Sequence, residues 1–447
     1  MRKLFGTDGI RGVAGEAPLD RRTIFAIGVA LAHHVRSEEG RSRFILGMDT
    51  RESSGWIAAT ITAGLRHGGS EVESAGVITT PAIAYLTVTH GFSAGIVISA
   101  SHNPWQDNGI KVFGADGYKL ADETELAIED EIFRILATEF LVEEAEPLPV
   151  EEADRAAYVM ALRAAVSGLS LDNKKIVIDC ANGAASSIAA QLFEGFGGEI
   201  HIHNASPDGR NINGGCGALH PEIVAAMVAN EKADLGVTFD GDADRALFAN
   251  EHGKVVNGDA VMLIAARDLK ERGLLQDDVV VATTMSNMGF EAALKRSGIR
   301  MLRANVGDKY VLEQMRMTGA SLGGEQSGHI LFQGRSTTGD GLLTALLVLD
   351  ILHRSGKSLA ELTSDLKVYP QVIVNVKVRE KRPLDSIASV ASSIAEAESA
   401  LADTGRVVIR YSGTEALARV MIEAEDEGAM RLHAERIAGA IRAEIGL

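Results

Sequence analysis

Cysteine, proline and aromatic residues are all scarce in this sequence, and no apolar run in it is long. Two cysteines, Cys180 and Cys216, in 447 residues exclude a disulfide framework, and their spacing excludes a C-x-x-C metal or redox pair. Both read as ordinary reduced thiols. The longest apolar block, "GLLTALLVLDIL" from Gly341 to Leu352, is too short to span a bilayer and carries Asp350, so it reads as a buried helix. The opening "MRKLFGTDGIRG" lacks the apolar stretch of a secretory leader, and the expected location is cytoplasmic. Basic charge is also short: 44 Lys and Arg against 61 Asp and Glu leave a net charge of −17. That field argues against nucleic acid or an anionic membrane as partner. An anionic small substrate would need local Arg and Lys to overcome it.

What is abundant is small and aliphatic. Hydrophobic residues make up 46%, aromatics only 5%, and 47 glycines punctuate the chain, which suits an α/β protein rich in strand-to-helix turns. Three segments share an apolar strand, a small or polar turn, then helical periodicity: "RFILGMDTRESSGWIAATITAGL", "KKIVIDCANGAASSIAAQLFEGFG" and "DVVVATTMSNMGFEAALKRSG". Strands with several consecutive apolar residues are those of parallel sheets covered on both faces. After "LKVYPQ" the pattern changes: "QVIVNVKV", "RVVIRYSG" and "LARVMIEAE" alternate like antiparallel strands, and an amphipathic helix closes the chain. The expectation is three related α/β domains with mixed sheets (1–152, 153–250 and 251–367) followed by a C-terminal α+β domain (368–447).

Several constellations can carry chemistry. In "FDGDADRALF", Asp240, Asp242 and Asp244 alternate, so on an extended segment three carboxylates converge on one cation. All-oxygen ligands favour a hard ion, Mg²⁺ first. An EF-hand is the competing reading, with Glu251 at its twelfth position. Its sixth position needs Gly and here is Arg245, and the flanks look like strands. A solvated acidic turn is the third. "RYSGTEALAR" offers Ser412, Gly413 and Thr414 as a phosphate nest between Arg410 and Arg419, although Ser412 and Glu415 also fit a helix capping box. "GGEQSGHILF" alternates Glu325, Ser327 and His329, the first two suited to sugar hydroxyls and His329 to proton transfer or to a structural role. "FGTDGIRG" brackets Thr7, Asp8 and Arg11 with glycines, and "RANVGDKY" carries Arg303 and Lys309 on a polar loop. For these cations a solvated face is the alternative.

The stretch "AGIVISASHNPWQDNGIKVFG" drives a buried strand into Ser101, crosses a polar loop and returns as a second strand. No G-x-S-x-G elbow surrounds Ser101, and His102, adjacent in sequence, is expected to diverge from it. Carboxylates for a metal and a phosphate nest in one chain suggest phosphoryl transfer, with Ser101 as carrier and Lys111 returning nearby to stabilise charge. In isolation Ser101 would read as a turn serine before Asn103-Pro104.

The series "ISASHNP", "DGDADR", "GEQSGH" and "SGTE", in this order and one per domain, resembles the α-D-phosphohexomutase family over nearly the whole chain. "FGTDGIRG" and "GEQSGHI" are most similar to its bacterial branch acting on glucosamine phosphates. The resemblance implies four domains around a central cleft, a phosphoserine at Ser101, and one Mg²⁺ per chain held by Asp240, Asp242, Asp244 and the Ser101 phosphate, with Arg245 beside it. It further implies a sugar grip from Glu325 and Ser327, with Arg303 and Lys309 also on the substrate. A distal phosphate site follows from Arg410, Ser412, Gly413, Thr414 and Arg419, and positive or proton-transfer roles for Arg11, Lys111 and His329. The implied reaction interconverts glucosamine 6-phosphate and glucosamine 1-phosphate through a bisphosphate, in a possible homodimer. Departures from the family pattern are Ala416 after "SGTE" where Pro is usual, Lys309 where Arg is common, and "CGALH" for "CGSTH". Alternatives are a phosphomannomutase or phosphoglucomutase of the same fold, a metal-dependent phosphatase, and a non-catalytic sugar-phosphate sensor.

Overall fold

The computed structural model describes residues 4–6, 8–35, 42–143, 146–412 and 416–447. They fall into two compact units, Met1–Thr283 with Leu302–Ser364, and Thr284–Met301 with Asp365–Leu447.

The first unit opens with a six-stranded mixed sheet: β1 (Phe5–Gly6), β2 (Gly9–Val13), β3 (Arg43–Met48), β4 (Glu71–Val77), β5 (Ala94–Ile98) and β6 (Asp107–Gly114), in the order β1-β2-β6-β5-β3-β4. β3 pairs in parallel with β4 and β5, while β6 returns antiparallel to β5. Helices Ser54–His67 and Thr80–Thr89 pack on β3 and β5, which is why every residue of β5 is buried. A Cβ on Gly28 would stand 2.4 Å from the Ile61 carbonyl oxygen, so helices Arg21–His34 and Ser54–His67 meet backbone to backbone.

The second sheet holds β7 (Lys175–Asp179), β8 (Glu199–His203), β9 (Leu235–Phe239), β10 (Ala246–Asn250) and β11 (Val255–Val256), in the order β11-β10-β9-β7-β8. β7 is parallel to β8 and β9, and β10 runs antiparallel to β9. After β7 the expected helix is broken: a 3₁₀ turn at Ala184–Ser187 precedes a short helix at Ala189–Phe193. The Ser187 hydroxyl donates to the Ala184 carbonyl at 2.8 Å, and positive φ at Gly195, Gly197 and Gly198 ends the run. Serine competes for backbone groups, and these glycines suit only the turn.

A third sheet, β12 (Val279–Thr283), β13 (Arg300–Ala304), β14 (Leu322–Gly324) and β15 (Ile330–Phe332), has the order β13-β12-β14-β15. It is again mixed, with β14 parallel to β12 and antiparallel to β15. Helix Gly341–Ser355 is buried along most of its length, as its composition required. In the second unit β16 (Gln371–Lys377), β17 (Gly405–Tyr411) and β18 (Leu417–Ala424) form an antiparallel sheet in the order β16-β18-β17. Helices Ala388–Leu401 and Glu427–Ile445 share its core. No helix among the described residues is long and apolar enough to cross a membrane.

Candidate active site

Ser101 stands at the carboxyl end of β5 with φ of 53°, a left-handed conformation that costs an L-residue about 1 kcal/mol. The loop is clamped to hold it. The Ser101 carbonyl accepts from Arg51 Nη2 at 3.1 Å and Asn213 Nδ2 at 2.9 Å, and the same two side chains donate to the Asn103 carbonyl. Buried Asp49 pairs with Arg51 and fixes that guanidinium. The left-handed turn also corrects one expectation: His102 does not diverge, and its Nδ1 lies 3.3 Å from Ser101 Oγ. Burial, then Arg245 and Arg11, lower the His102 pKa to about 4, so the ring is neutral at pH 7.

The Ser101 hydroxyl donates to Asp240 Oδ2 at 2.5 Å. Asp240, Asp242 and Asp244 lie on the loop joining β9 to β10, whose strand flanks dispose of the EF-hand. Strand alternation is not what gathers them. The loop is a turn, with Ala243 N–H donating to the Asp240 carbonyl at 3.0 Å and Ala243 at φ of 55°. All three are buried, and each offers an oxygen within 4.8 Å of the others. Burial and then the charges of Asp244 and Asp242 push Asp240 well above the usual carboxylate range. On Asp244 burial acts the same way, but Lys111, His329 and Arg245 outweigh it and hold that carboxyl well below the range. Asp242 Oδ2 is already engaged by Thr80 Oγ1 at 2.5 Å and Lys111 Nζ at 2.8 Å. Asp242 Oδ1 is buried without a hydrogen bond, and buried Asp244 Oδ1 has only the longer approaches of His329 Nδ1 at 3.5 Å and Arg245 Nε at 3.8 Å. An orphaned Asp242 oxygen, with Asp240, Asp244 and a hydroxyl beside it, fits a hard divalent cation such as Mg²⁺.

Lys111 returns on β6 directly opposite Val97, as the polar loop between β5 and β6 requires. Its buried ammonium touches Asp242, Asp244 at 3.3 Å and Asp8 at 3.1 Å. Burial lowers its pKa, yet the three carboxylates outweigh that and keep it charged. Arg11 pairs with Asp8 and reaches the Ala100 carbonyl at 3.4 Å. Lys119 extends the chain of charges, 2.5 Å from Asp8 and 2.5 Å from Asp308.

The Glu325–Gly328 turn docks on this cluster through backbone, with Ala246 N–H donating to the Gly328 carbonyl at 3.1 Å. Glu325 accepts from the Gly307 N–H at 3.0 Å and the Ser327 hydroxyl at 3.2 Å, tying the "GEQSGH" and "VGDKY" loops together. His329 is turned onto the acidic loop, Nδ1 3.5 Å from Asp244 and Nε2 3.8 Å from Asp308. Burial disfavours its imidazolium, but Asp244 outweighs this and raises its pKa. The Gly339 N–H, 3.2 Å from Nε2, favours the tautomer with the proton on Nδ1, facing Asp244. Arg245 Nε lies 3.8 Å from Asp244 Oδ1. Arg303 is drawn to the Thr283 carbonyl at 3.2 Å and Lys309 to Asp122, so neither joins the carboxylate cluster.

In the second unit Arg410 and Arg419 stand directly opposite each other across β17 and β18. Burial first, then Arg419, lowers the Arg410 pKa. Like charges paired this way are mutually unfavourable. Ser412 is buried at the end of β17, its N–H donating to the Leu417 carbonyl at 2.8 Å. Gly413 and Thr414 lie outside the described residues.

Sequence reasoning missed the groups that act at a distance: Arg51, Asn213, Thr80, Lys119 and Asp308, and it left Asp8 without a role. Asp8 and Asp308 sit inside motifs already singled out, a usable signal; the other four are separated in sequence from the active-site groups they hold.

Family models of phosphoglucomutase/phosphomannomutase match the chain in sequence: α/β/α domain I over residues 2–139, domain II over 156–253, domain III over 257–369 and the C-terminal domain over 373–440. The chain is 60% identical to the phosphoglucosamine mutase of Koribacter versatilis (strain Ellin345), over 100% of its own length and 98% of the relative's. The chain belongs to the phosphoglucomutase/phosphomannomutase family. Its fold is that of a family protein from Burkholderia thailandensis, with a TM-score of 0.80 at 23% identity and full coverage of both chains. The N-acetylphosphoglucosamine mutase of Aspergillus fumigatus, solved in complex with GlcNAc-6P and magnesium, gives a TM-score of 0.63 at 19% identity, covering 99% of this chain and 96% of that one. With the family established, the mixed α/β sheets and the antiparallel C-terminal sheet expected from the sequence stand.

Proposed function

We propose that the chain interconverts glucosamine 6-phosphate and glucosamine 1-phosphate, with Ser101 carrying the exchanged phosphoryl group. The observation that carries this reading is the 2.5 Å hydrogen bond from Ser101 to Asp240, inside a cluster of three buried carboxylates. Asp8, Asp240, Asp242, Asp244 and Asp308 crowd against Arg11, Lys111, Lys119 and Arg245, with His329 between Asp244 and Asp308. A phosphoryl group on Ser101 adds about two negative charges beside carboxylates that already engage these cations. Asp240, Asp242 and Asp244 would hold Mg²⁺ there with the Ser101 phosphate, and the ion would supply charge neutralisation on the transferring group.

In the first half-reaction a free sugar hydroxyl attacks phosphorus, its P–O bond forming as the Ser101 Oγ–P bond breaks. Of the positive and proton-transfer groups proposed, Lys111 and Arg11 are already protonated and stabilise the charge, so the hydroxyl proton passes to the neutral form of His329 or to a carboxylate of the cluster. The product is glucosamine 1,6-bisphosphate. After it turns end over end, Ser101 Oγ attacks the other phosphorus and the sugar oxygen takes the proton back. Glu325 and Ser327 offer oxygens that suit ring hydroxyls in either orientation. Arg303 and Lys309 join them on the substrate. Arg410, Ser412, Gly413, Thr414 and Arg419 bind the phosphate that is not reacting.

The four-part division at 1–152, 153–250, 251–367 and 368–447, a homodimer, a cytoplasmic location and the absence of nucleic-acid or membrane partners belong to the same proposal. A coupled assay on glucosamine, glucose and mannose phosphates tests it. The amino sugar should turn over at least about tenfold faster (1.4 kcal/mol). Release of inorganic phosphate in place of isomer would make the chain a phosphatase, and faster turnover of mannose or glucose phosphate would move it to another branch of the family.

A further inference from the structure

A second cluster lies away from the carboxylate loop, on the edge strand of the second sheet. His201 and His203, two apart on β8, project to one side of the strand, and Glu231 ends the helix Pro221–Glu231. His201 Nδ1 faces Glu231 Oε2, and His203 Nε2 lies 2.8 Å from Glu231 Oε1. One donor atom from each residue lies within 4.8 Å of the others. Ligands about 2.0–2.2 Å from a tetrahedral ion stand roughly 3.5 Å apart, so small side-chain rotations close the set. We infer that His201, His203 and Glu231 bind a divalent transition-metal ion of the Zn²⁺ class.

Three observations support this. The donor set is two nitrogens and one carboxylate, which selects Zn²⁺, Ni²⁺ or Cu²⁺ over the Mg²⁺ favoured by the all-oxygen aspartate loop. The far nitrogen of His201, Nε2, lies 2.7 Å from Glu199 Oε1, and Lys175 holds that carboxylate at 3.0 Å. A carboxylate behind a ligating imidazole fixes its tautomer and leaves Nδ1 free to coordinate. Finally, Glu231 is a carboxylate at a helix carboxyl end, where the dipole disfavours it and a bound cation relieves the repulsion. The side chains are 33%, 34% and 22% exposed, so water can complete the coordination. The bound ion would pin the edge strand to the end of that helix.

This inference is independent of the phosphoryl-transfer reading. The test titrates Zn²⁺ into the full chain in saturating Mg²⁺ with a chelating indicator, and repeats the titration with Co²⁺ followed by visible absorption. One equivalent of Zn²⁺ should bind, with an intense tetrahedral Co²⁺ band and a rise of a few degrees in melting temperature. The His201→Gln/His203→Gln double variant and Glu231→Gln should each lose all three, whereas Asp242→Asn should keep them. Uptake that survives in the double variant, or is lost only in Asp242→Asn, overturns the assignment. If the wild-type chain takes up no Zn²⁺, the cluster is an ion pair only. Should the double variant fail to fold, Glu231→Gln decides alone.

Discussion

Ser101 combines a reactive position with an unfavourable backbone, and the two can be separated. Ser101→Ala removes the hydroxyl but keeps the left-handed strain, whereas Ser101→Gly removes both. Both should lose turnover by at least about a thousandfold, since among the described residues Ser101 is the hydroxyl that bonds Asp240 (about 4 kcal/mol). The glycine variant should resist urea better than the alanine one by up to about 1 kcal/mol. Full turnover in either would refute the carrier role. Asp242→Asn should cut Mg²⁺-dependent turnover by about a hundredfold or more while costing little stability, because Lys111 keeps Asp8 and Asp244. An unchanged rate at saturating Mg²⁺ would rule Asp242 out as a ligand. Ser101 and the aspartates could be singled out because each sits in a loop motif following a strand, and Lys111 because β6 returns beside β5. His102 was misjudged because a positive φ at Ser101 is invisible to strand alternation. Arg51 and Asn213 were not found because the Ser101 and Asn103 carbonyls they hold are brought to them only by the fold.

At the scale of elements, the paired arginines of β17 and β18 and the amino terminus of helix Gly341–Ser355 give separate tests. Arg410→Gln removes a like-charge neighbour of Arg419, so its melting temperature should not fall, while KM for sugar phosphate should rise about tenfold or more. A lower melting temperature with KM unchanged would make the pair structural. Asp340 caps the helix, accepting the Leu343 N–H at 2.9 Å and the Tyr158 hydroxyl at 2.7 Å. Burial pushes its pKa up to about 6 against the smaller opposing effect of those bonds. The folded chain therefore keeps this proton when the unfolded chain, near pH 3.9, has begun to lose it. The group contributes stability below about pH 4 that is gone once pH passes about 6, worth at most about 3 kcal/mol. Asp340→Asn keeps the cap and cannot ionise, so its stability relative to wild type should improve between pH 4 and 7 in urea melts. A constant difference would place the carboxyl pKa near normal. Most elements were legible from period and turn residues. The broken helix after β7 was not, because Ser187 and three glycines overrode an apolar pattern that is helical in itself.

Over the whole molecule, acidic charge dominates, at −17, while the cations that matter are gathered against Ser101 and on β17 and β18. The sequence showed the demand for such concentration, and motif order showed which strand ends supply it. It did not show the pairing of Lys119 with Asp8 and Asp308, 111 and 189 residues away, since contacts at that separation leave no local periodicity. What the account needs is a hydroxyl that is phosphorylated and dephosphorylated in every cycle. The most direct measurement is intact mass with peptide mapping of the chain during turnover of glucosamine 6-phosphate. One phosphoryl group, located on Ser101 and exchanging with labelled substrate at least as fast as isomer forms, is the predicted result. Isomer forming while Ser101 stays unmodified, or while a label on it does not exchange, would contradict the account.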